Sequence, residues 1–235
     1  MKKISVVISA YNEEKALPKC LDAITHQTFP REKYEIVVVD NNSTDKTAEI
    51  ARSYGARVIK EEKQGNTFAV AKGLKSAQGE IIASTDSDTI VYRNWLEVIY
   101  KVFQDKRVVG ATGNAFIHSK NSLFNSFAGK FYKYFLKFNF LIGKAHFSGF
   151  NFAVRKSVFD QIGGINEKFI MSPDIDLGLR MNKKGKVVLV NDMNVVTSFR
   201  RWSNNPLDAF WTYLKGYLWS VWLRRPPPVK QNVIR

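Results

Sequence analysis

An α/β fold built on a mostly parallel sheet is predicted by the order of apolar runs in this 235-residue chain. Three observations carry the prediction. β-branched runs recur at Ile4–Ile8, Ile36–Val39 and Ile81–Ser84, segments with helical spacing separate them, and each run ends in a polar cluster. Strands that are apolar on both faces and joined by helical crossovers form a parallel sheet covered on both sides.

In chain order, "KISVVISAYNEE" supplies the first strand. "KALPKCLDAITHQ" then spaces Ala16, Leu17, Leu21 and Ile24 for a helix whose apolar face also carries Cys20. "YEIVVVDNNSTDKTAEIARSYG" repeats the unit, with a strand, a polar turn, a helix capped by Ser43 or Thr44, and a stop at Gly55. A short strand Arg57–Ile59, a helix around Phe68–Ala77 and the strand Ile81–Ser84 complete the first half. Ligands of such sheets bind beyond the carboxyl ends of the strands. There fall "SAYNEE", "DNNSTD" and "TDSD", three loops that bring acidic or amide side chains to one rim.

With 45% hydrophobic residues the chain can bury one large core. Cys20, the single cysteine, excludes an internal disulfide, and no signal-peptide pattern opens the sequence, so a reducing cytosol is expected. The net charge of +15 lies wholly in the second half. Basic and acidic residues balance up to Asp105, whereas no acidic residue occurs between Asp105 and Asp160 or after Asp208. Asymmetry of this kind concerns partners, namely nucleic acid, an anionic membrane surface or a phosphorylated substrate.

Asp86 and Asp88 end the "GEIIASTDSD" run one residue apart. In extended chain they point the same way, and a hard divalent cation relieves their repulsion. Mg²⁺ or Mn²⁺ bound there would neutralise a leaving diphosphate. On spacing alone, an Asp-rich turn with Asp88 capping the helix of "RNWLEVIYKVF" accounts for the pair equally well.

Several segments, taken together, resemble the family 2 glycosyltransferases of the GT-A fold. They are "ISVVISAYNEE", "LDAITHQTFP", "YEIVVVDNNSTDKT", "AQGEIIASTDSD", "NWLE", "GFNFAVRKSVFDQIGGINEKF" and "PDIDLGLRMNKKG". The resemblance implies a Rossmann-like single domain over residues 1–205, with a nucleotide-binding half at 1–105 and an acceptor-binding half at 106–205. It also implies inverting transfer of a sugar from a nucleotide diphosphate, with Mn²⁺ or Mg²⁺. Carried over by position, Ser9, Tyr11, Glu13 and Asp40 would lie about the nucleoside, with Tyr11 packed on the base and Asp40 accepting its hydrogen bonds. Asp86 would face the ribose and the metal-bound phosphates, and Asp88 would be the direct metal ligand. Gly149 and Asn151 would flank donor sugar and acceptor, and Asp174 would be the catalytic base. Asp176 reads more simply as a helix N-terminal acid. The chain departs from the family where Pro173 replaces a common glutamate. In "FAVAKG", Lys72 is the only cation where relatives often carry an arginine.

The basic half is rich in aromatics. Phe124, Phe127, Phe131, Phe135 and Phe138 recur at helical spacing with Lys130, Lys133 and Lys137 between them, a composition shared by interfacial helices and by ordinary core helices. The tail, residues 206–235, crowds Trp211, Tyr213, Tyr217, Trp219 and Trp222 before Arg224 and Arg225. Its apolar run is too short to span a bilayer, so an amphipathic C-terminal region lying on the membrane is expected. Arg200, Arg201 and Trp202 resemble residues that close over the donor diphosphate in some relatives, and a plain surface pair accounts for the two arginines almost as well. Of the histidines, only His146 is near a candidate pocket. The expected partners are therefore a nucleotide-sugar donor, a polyprenyl-phosphate or lipid-linked acceptor, and the inner face of an anionic cell membrane, with no nucleic acid. The alternatives are a haloacid-dehalogenase-like phosphatase, or a basic module that binds nucleic acid or membrane without catalysis.

Overall fold

The computed structural model describes residues 2–118, 122–198 and 206–228. Eight strands form one sheet in the order β3-β2-β1-β4-β7-β6-β8-β5. These are β1 (Ile4–Ala10), β2 (Tyr34–Asp40), β3 (Arg57–Lys60), β4 (Ile81–Asp86), β5 (Thr89–Val91), β6 (Val108–His118), β7 (Asn151–Arg155) and β8 (Lys186–Ser198). Helices α1 (Leu17–Thr25), α2 (Thr47–Ser53), α3 (Asn66–Ser76) and α4 (Trp95–Val102) accompany the first half. The second half adds α5 (Ser122–Leu141), α6 (Lys156–Gln161), α7 (Pro173–Met181) and α8 (Pro206–Tyr217), the last continued by a π-helical turn at Leu218–Leu223.

The expected parallel sheet is present: β1 pairs in parallel with β2 and β4, β2 with β3, and β6 with β8. Only β7 and β5 run against it. β1 and β2 are buried throughout, which is why their sequences are unbroken Val/Ile runs rather than alternations. Alternate residues still choose sides. Ile4, Val6 and Ile8 pack with α1 and α4 around Trp95, while Val7 and Val37 pack with Leu74 of α3 and Leu177 of α7. Gly73 lets α3 lie close on the sheet, since a Cβ there would come 2.5 Å from the Val7 side chain.

Two local expectations change. Neither Ser43 nor Thr44 caps α2; the Asp45 carboxylate instead accepts from the Thr47 N–H at 3.0 Å, while Ser43 accepts from the Asn12 N–H. Asp88 does not cap α4, because β5 intervenes and Asn94 is the residue before that helix. Gly55 ends α2 as expected, at a φ of 71° that favours glycine.

Candidate functional site

Register assembles the rim. Ala10 pairs with Asp40 and Ser9 with Asp86, so the ends of β2, β1 and β4 lie side by side. β7 runs the other way, with Asn151 opposite Thr85, which brings the loop before it to the same edge. Thr85 fixes that loop by donating its hydroxyl to the Phe150 carbonyl at 2.9 Å. β8 ends at Ser198, whose hydroxyl donates to the Asp88 carboxylate. One edge of the sheet thus gathers Ser9, Asp40, Asp86, Asp88 and the Ser148–Phe150 loop.

Hydrogen bonds stitch the first two loops together. Asn12 and Asn42 take left-handed φ values of 52° and 63°, tolerated by short amide side chains. The Glu13 N–H donates to Thr47 Oγ1 at 2.8 Å, and the Thr44 N–H to Asn12 Oδ1 at 2.8 Å. Asp40 is buried, and one of its oxygens accepts the Ser43 N–H at 3.1 Å. Next to it, Asn41 donates to the carbonyls of Glu61 and Lys63 and accepts from the Gly65 N–H, holding the loop that leads into α3. Ser9 donates to Asn66 Oδ1 at 2.6 Å, so its hydroxyl proton is committed to the first residue of α3. Tyr11 and Glu13 remain partly accessible.

The strand does not persist through the aspartate pair: the chain turns at Ser87 and Asp88, so the geometric premise for two side chains pointing alike is replaced by a tight turn. The carboxylates nevertheless share a neighbourhood. Burial, and then the charges of Asp86, Asp88 and Glu13, raise the Cys20 thiol, whose Sγ lies 3.4 Å from the Asp86 carbonyl oxygen. Cys20 is the core residue expected. Among the described residues no three His, Cys, Asp or Glu side chains cluster to hold a metal. Two partly accessible carboxylates suit a hard cation that completes its shell with substrate phosphates.

Asp174 stands in the first turn of α7, after Ser172 at a left-handed φ of 65° and after Pro173, a residue well placed where no intrahelical N–H bond is needed. Burial pushes its carboxyl up to about 6, against the opposite pull of the N–H groups of Asp174, Ile175 and Gly149. Gly149 sits so close that a Cβ there would lie 3.4 Å from Asp174 Oδ2. Asp174 therefore meets the rim through the loop before β7. Asp176 behaves as a helix residue, pairing with Arg180 at 2.7 Å.

Asn151, expected to flank donor sugar and acceptor, begins β7. It is fully buried, accepts from Trp95 Nε1 at 2.9 Å, and donates to the carbonyls of Asn114 and Met193 at 3.0 and 2.8 Å. Its carboxamide thus ties α4, β6 and β8 together directly behind the loop. That loop has a second support, in which the Tyr132 hydroxyl of α5 hydrogen-bonds Ser148 Oγ and the Ser148 N–H donates to Thr112 Oγ1 at 3.2 Å. Lys72 is engaged at the end of β3, donating to the Lys60 carbonyl at 2.7 Å and pairing with Glu61 at 3.4 Å. Arg200, Arg201 and Trp202 lie outside the described residues. His146 is buried between the rings of Phe135 and Tyr217 and serves as packing. Sequence reasoning passes over Asn41, Asn66, Tyr132 and Ser148; the doubled asparagine after β2 is the one local signal among them.

A basic cavity of about 540 Å³, lined by Lys106, Arg107, Arg155, Lys184 and Lys186, lies where β6 and β8 begin, at the edge opposite these carboxylates. The acidic rim is thus set apart from it.

This sheet, with strand ends that present carboxylates, is the GT-A fold of nucleotide-sugar transferases. A mannosyltransferase, PcManGT, from Pyrobaculum calidifontis, solved in complex with GDP-Man and Mn²⁺, superposes with a TM-score of 0.72 at 20% identity, over 96% of this chain and 66% of that one. TarS of S. aureus, solved with UDP, gives 0.66 at 20% identity, over 89% and 63%. Residues 5–163 match the model of "Glycosyl transferase family 2", and the chain belongs to that family. Its relatives include the glycosyltransferase AglE of Haloferax volcanii, 42% identical over 40% of this chain and 33% of that protein. Another is the beta-monoglucosyldiacylglycerol synthase of Nostoc sp., 31% identical over 76% of this chain and 41% of that protein. The chain thus spans less than half the length of these relatives.

Proposed function

We propose that this chain is the catalytic unit of a metal-dependent inverting glycosyltransferase that moves a sugar from a nucleoside diphosphate to a lipid-linked acceptor at the cytoplasmic face of a membrane. The observation that carries this reading is the in-register gathering of Asp40, Asp86 and the loop before β7 at one sheet edge, with Asp174 of α7 against Gly149 of that loop. Tyr11 and Asp40 bind the nucleoside, with Glu13 and Ser9 behind them. Asp88 and Asp86 would hold Mn²⁺ or Mg²⁺, which when bound supplies positive charge against the departing diphosphate. The metal and the donor seen with the mannosyltransferase support this assignment by likeness of fold.

Asp174 accepts the proton of the acceptor hydroxyl as that oxygen attacks the anomeric carbon from the face opposite the diphosphate, which inverts the configuration. A phosphate acceptor is already ionised at neutral pH and needs no base. A carboxylate raised toward 6 therefore favours a hydroxyl on the lipid-linked acceptor. A lipid acceptor accords with the name of the Nostoc relative. No helix among the described residues is long and apolar enough to cross a membrane.

A thermal-shift panel of UDP-, GDP- and dTDP-sugars, with and without Mn²⁺, tests the reading. One donor is expected to raise Tm only with the metal, and Asp88→Ala to abolish that metal dependence. Absence of stabilisation by every donor and metal would remove the basis of the proposal. The base must be ionised, so kcat/KM is expected to fall tenfold per pH unit below about 6 and to level off above it. A profile flat through that region would displace Asp174 from the role.

A further inference from the structure

The aromatic segment of the basic half is neither wholly core nor wholly surface. On α5, Leu136 and Asn139 are buried and Tyr132 and Phe135 lean inward. Phe131, Tyr134, Phe138 and Leu141 stand 64%, 67%, 57% and 85% exposed, with Ile142 beside them. At about 100° per residue these form one stripe, and Lys130, Lys133 and Lys137 make the adjoining row. The side chains of Phe124 and Phe127 lie outside the described part of α5. Such a solvent-facing stripe has no use in an isolated soluble domain.

The C-terminal segment extends it. Tyr217 donates to Asn139 Oδ1 at 2.5 Å and packs edge-on against Phe135, which fastens α8 to α5. Trp222 lies under the Lys144 ammonium at 5.2 Å. With Ser220 and Val221 turned inward, Leu218, Trp222 and Leu223 face solvent beside Lys215, Arg224 and Arg225. Across the described side chains of these two segments, residues 130–144 and 211–228, every charged residue is a cation. The inner sides of the same two helices adjoin the proposed base. Tyr132 of α5 holds the Ser148–Gly149 loop, and a Cβ on Gly216 of α8 would come 2.9 Å from Ser172 Oγ, two residues before Asp174.

We infer that the exposed stripe formed by α5 and the α8 segment is a docking face for an anionic lipid bilayer, which receives the aromatic and aliphatic side chains while the lysines and arginines meet acidic headgroups. Charge complementarity selects this occupant, because an apolar face flanked by the lysines and arginines of its own two segments suits a surface that is apolar within and negative at its boundary. Docked this way, the protein turns the side that carries Asp174 toward the membrane, so an acceptor held by its lipid reaches the base without leaving the bilayer. This last step deepens the proposed transferase reading and rests on it; the docking face does not.

Co-sedimentation with vesicles tests the docking face without donor or metal, so its outcome is independent of the transferase reading. The protein is expected to sediment with phosphatidylcholine–phosphatidylglycerol vesicles, weakly with phosphatidylcholine alone, and less as salt rises. Replacing Lys130, Lys133 and Lys137 together by glutamine should weaken binding about 100-fold. The pair Phe138→Ser and Trp222→Ser should weaken it about tenfold or more at any salt. Melting temperatures and circular-dichroism spectra matching the parent's would show that these variants are folded. Equal sedimentation of variants and parent would overturn the inference. So would failure of the parent to bind anionic vesicles, or a parent dimer dispersed by Phe138→Ser and Trp222→Ser, which would assign the face to a second copy.

Discussion

Asp174→Asn is expected to lower kcat by about 10²–10⁴-fold, the contribution typical of a positioned general base. Donor binding should survive, because Asp174 touches the site through Gly149 rather than through the nucleotide loops. Folding should survive as well, and the sign can be worked out. A carboxyl whose pKa rises to about 6 on folding, from an ordinary value of 3.8, holds its proton more tightly in the native state. Native stability therefore declines as pH rises from about 4 to 6, and at pH 8 the group is ionised against the preference of its surroundings. Asparagine removes that charge, so Tm at pH 8 should match or exceed the parent's while turnover collapses. Steady-state kinetics and thermal denaturation on one preparation check both halves. A variant that keeps full kcat would eliminate Asp174 as base, and one with a sharply lowered Tm would make it a structural residue.

Asn151→Ala is expected to act on the opposite quantity. Its carboxamide serves the Trp95 indole and two main-chain carbonyls in a fully buried position, and truncation leaves them without partners. Stranded polar groups of this kind cost about 1–3 kcal/mol each. With partial relaxation, a loss of roughly 3–5 kcal/mol is expected, a large part of a domain's usual margin. The urea midpoint should fall steeply. A midpoint close to the parent's, combined with a raised KM for donor, would return Asn151 to the binding role that family resemblance gave it.

The contrast between these two residues shows what a sequence can and cannot disclose. Asp174 was legible only through the resemblance of "PDIDLGLRMNKKG" to its family, whereas the helix start around it was legible from Asp176, because a helix start is a local event. Strands β1, β2 and β4 were legible for a similar reason, since burial on both faces leaves uninterrupted apolar runs such as that of β2. Asn151 was legible as a member of a motif and not as a structural tie. Its partners Trp95, Asn114 and Met193 lie 56, 37 and 42 positions away, and nothing nearby signals them. The same limit applies to the Asp86–Asp88 pair. Alternation along a strand predicted parallel side chains, but the pairing of β5 with the end of β8 forces a turn there instead. The aromatic run of α5 was readable as a helix, yet which arc faces solvent depends on how Tyr217 of α8 returns to cover Phe135 and Asn139.

The reversed direction of β7 has a consequence for how such proteins diversify. Had this strand run with its neighbours, the Ser148–Phe150 loop would emerge at the far edge of the sheet, out of reach of the nucleotide loops. Because it runs backward, two portions of chain far apart in sequence meet at one border. On the proposed function, this separation would let residues after β6 change with the recipient while those before β5 keep the same donor.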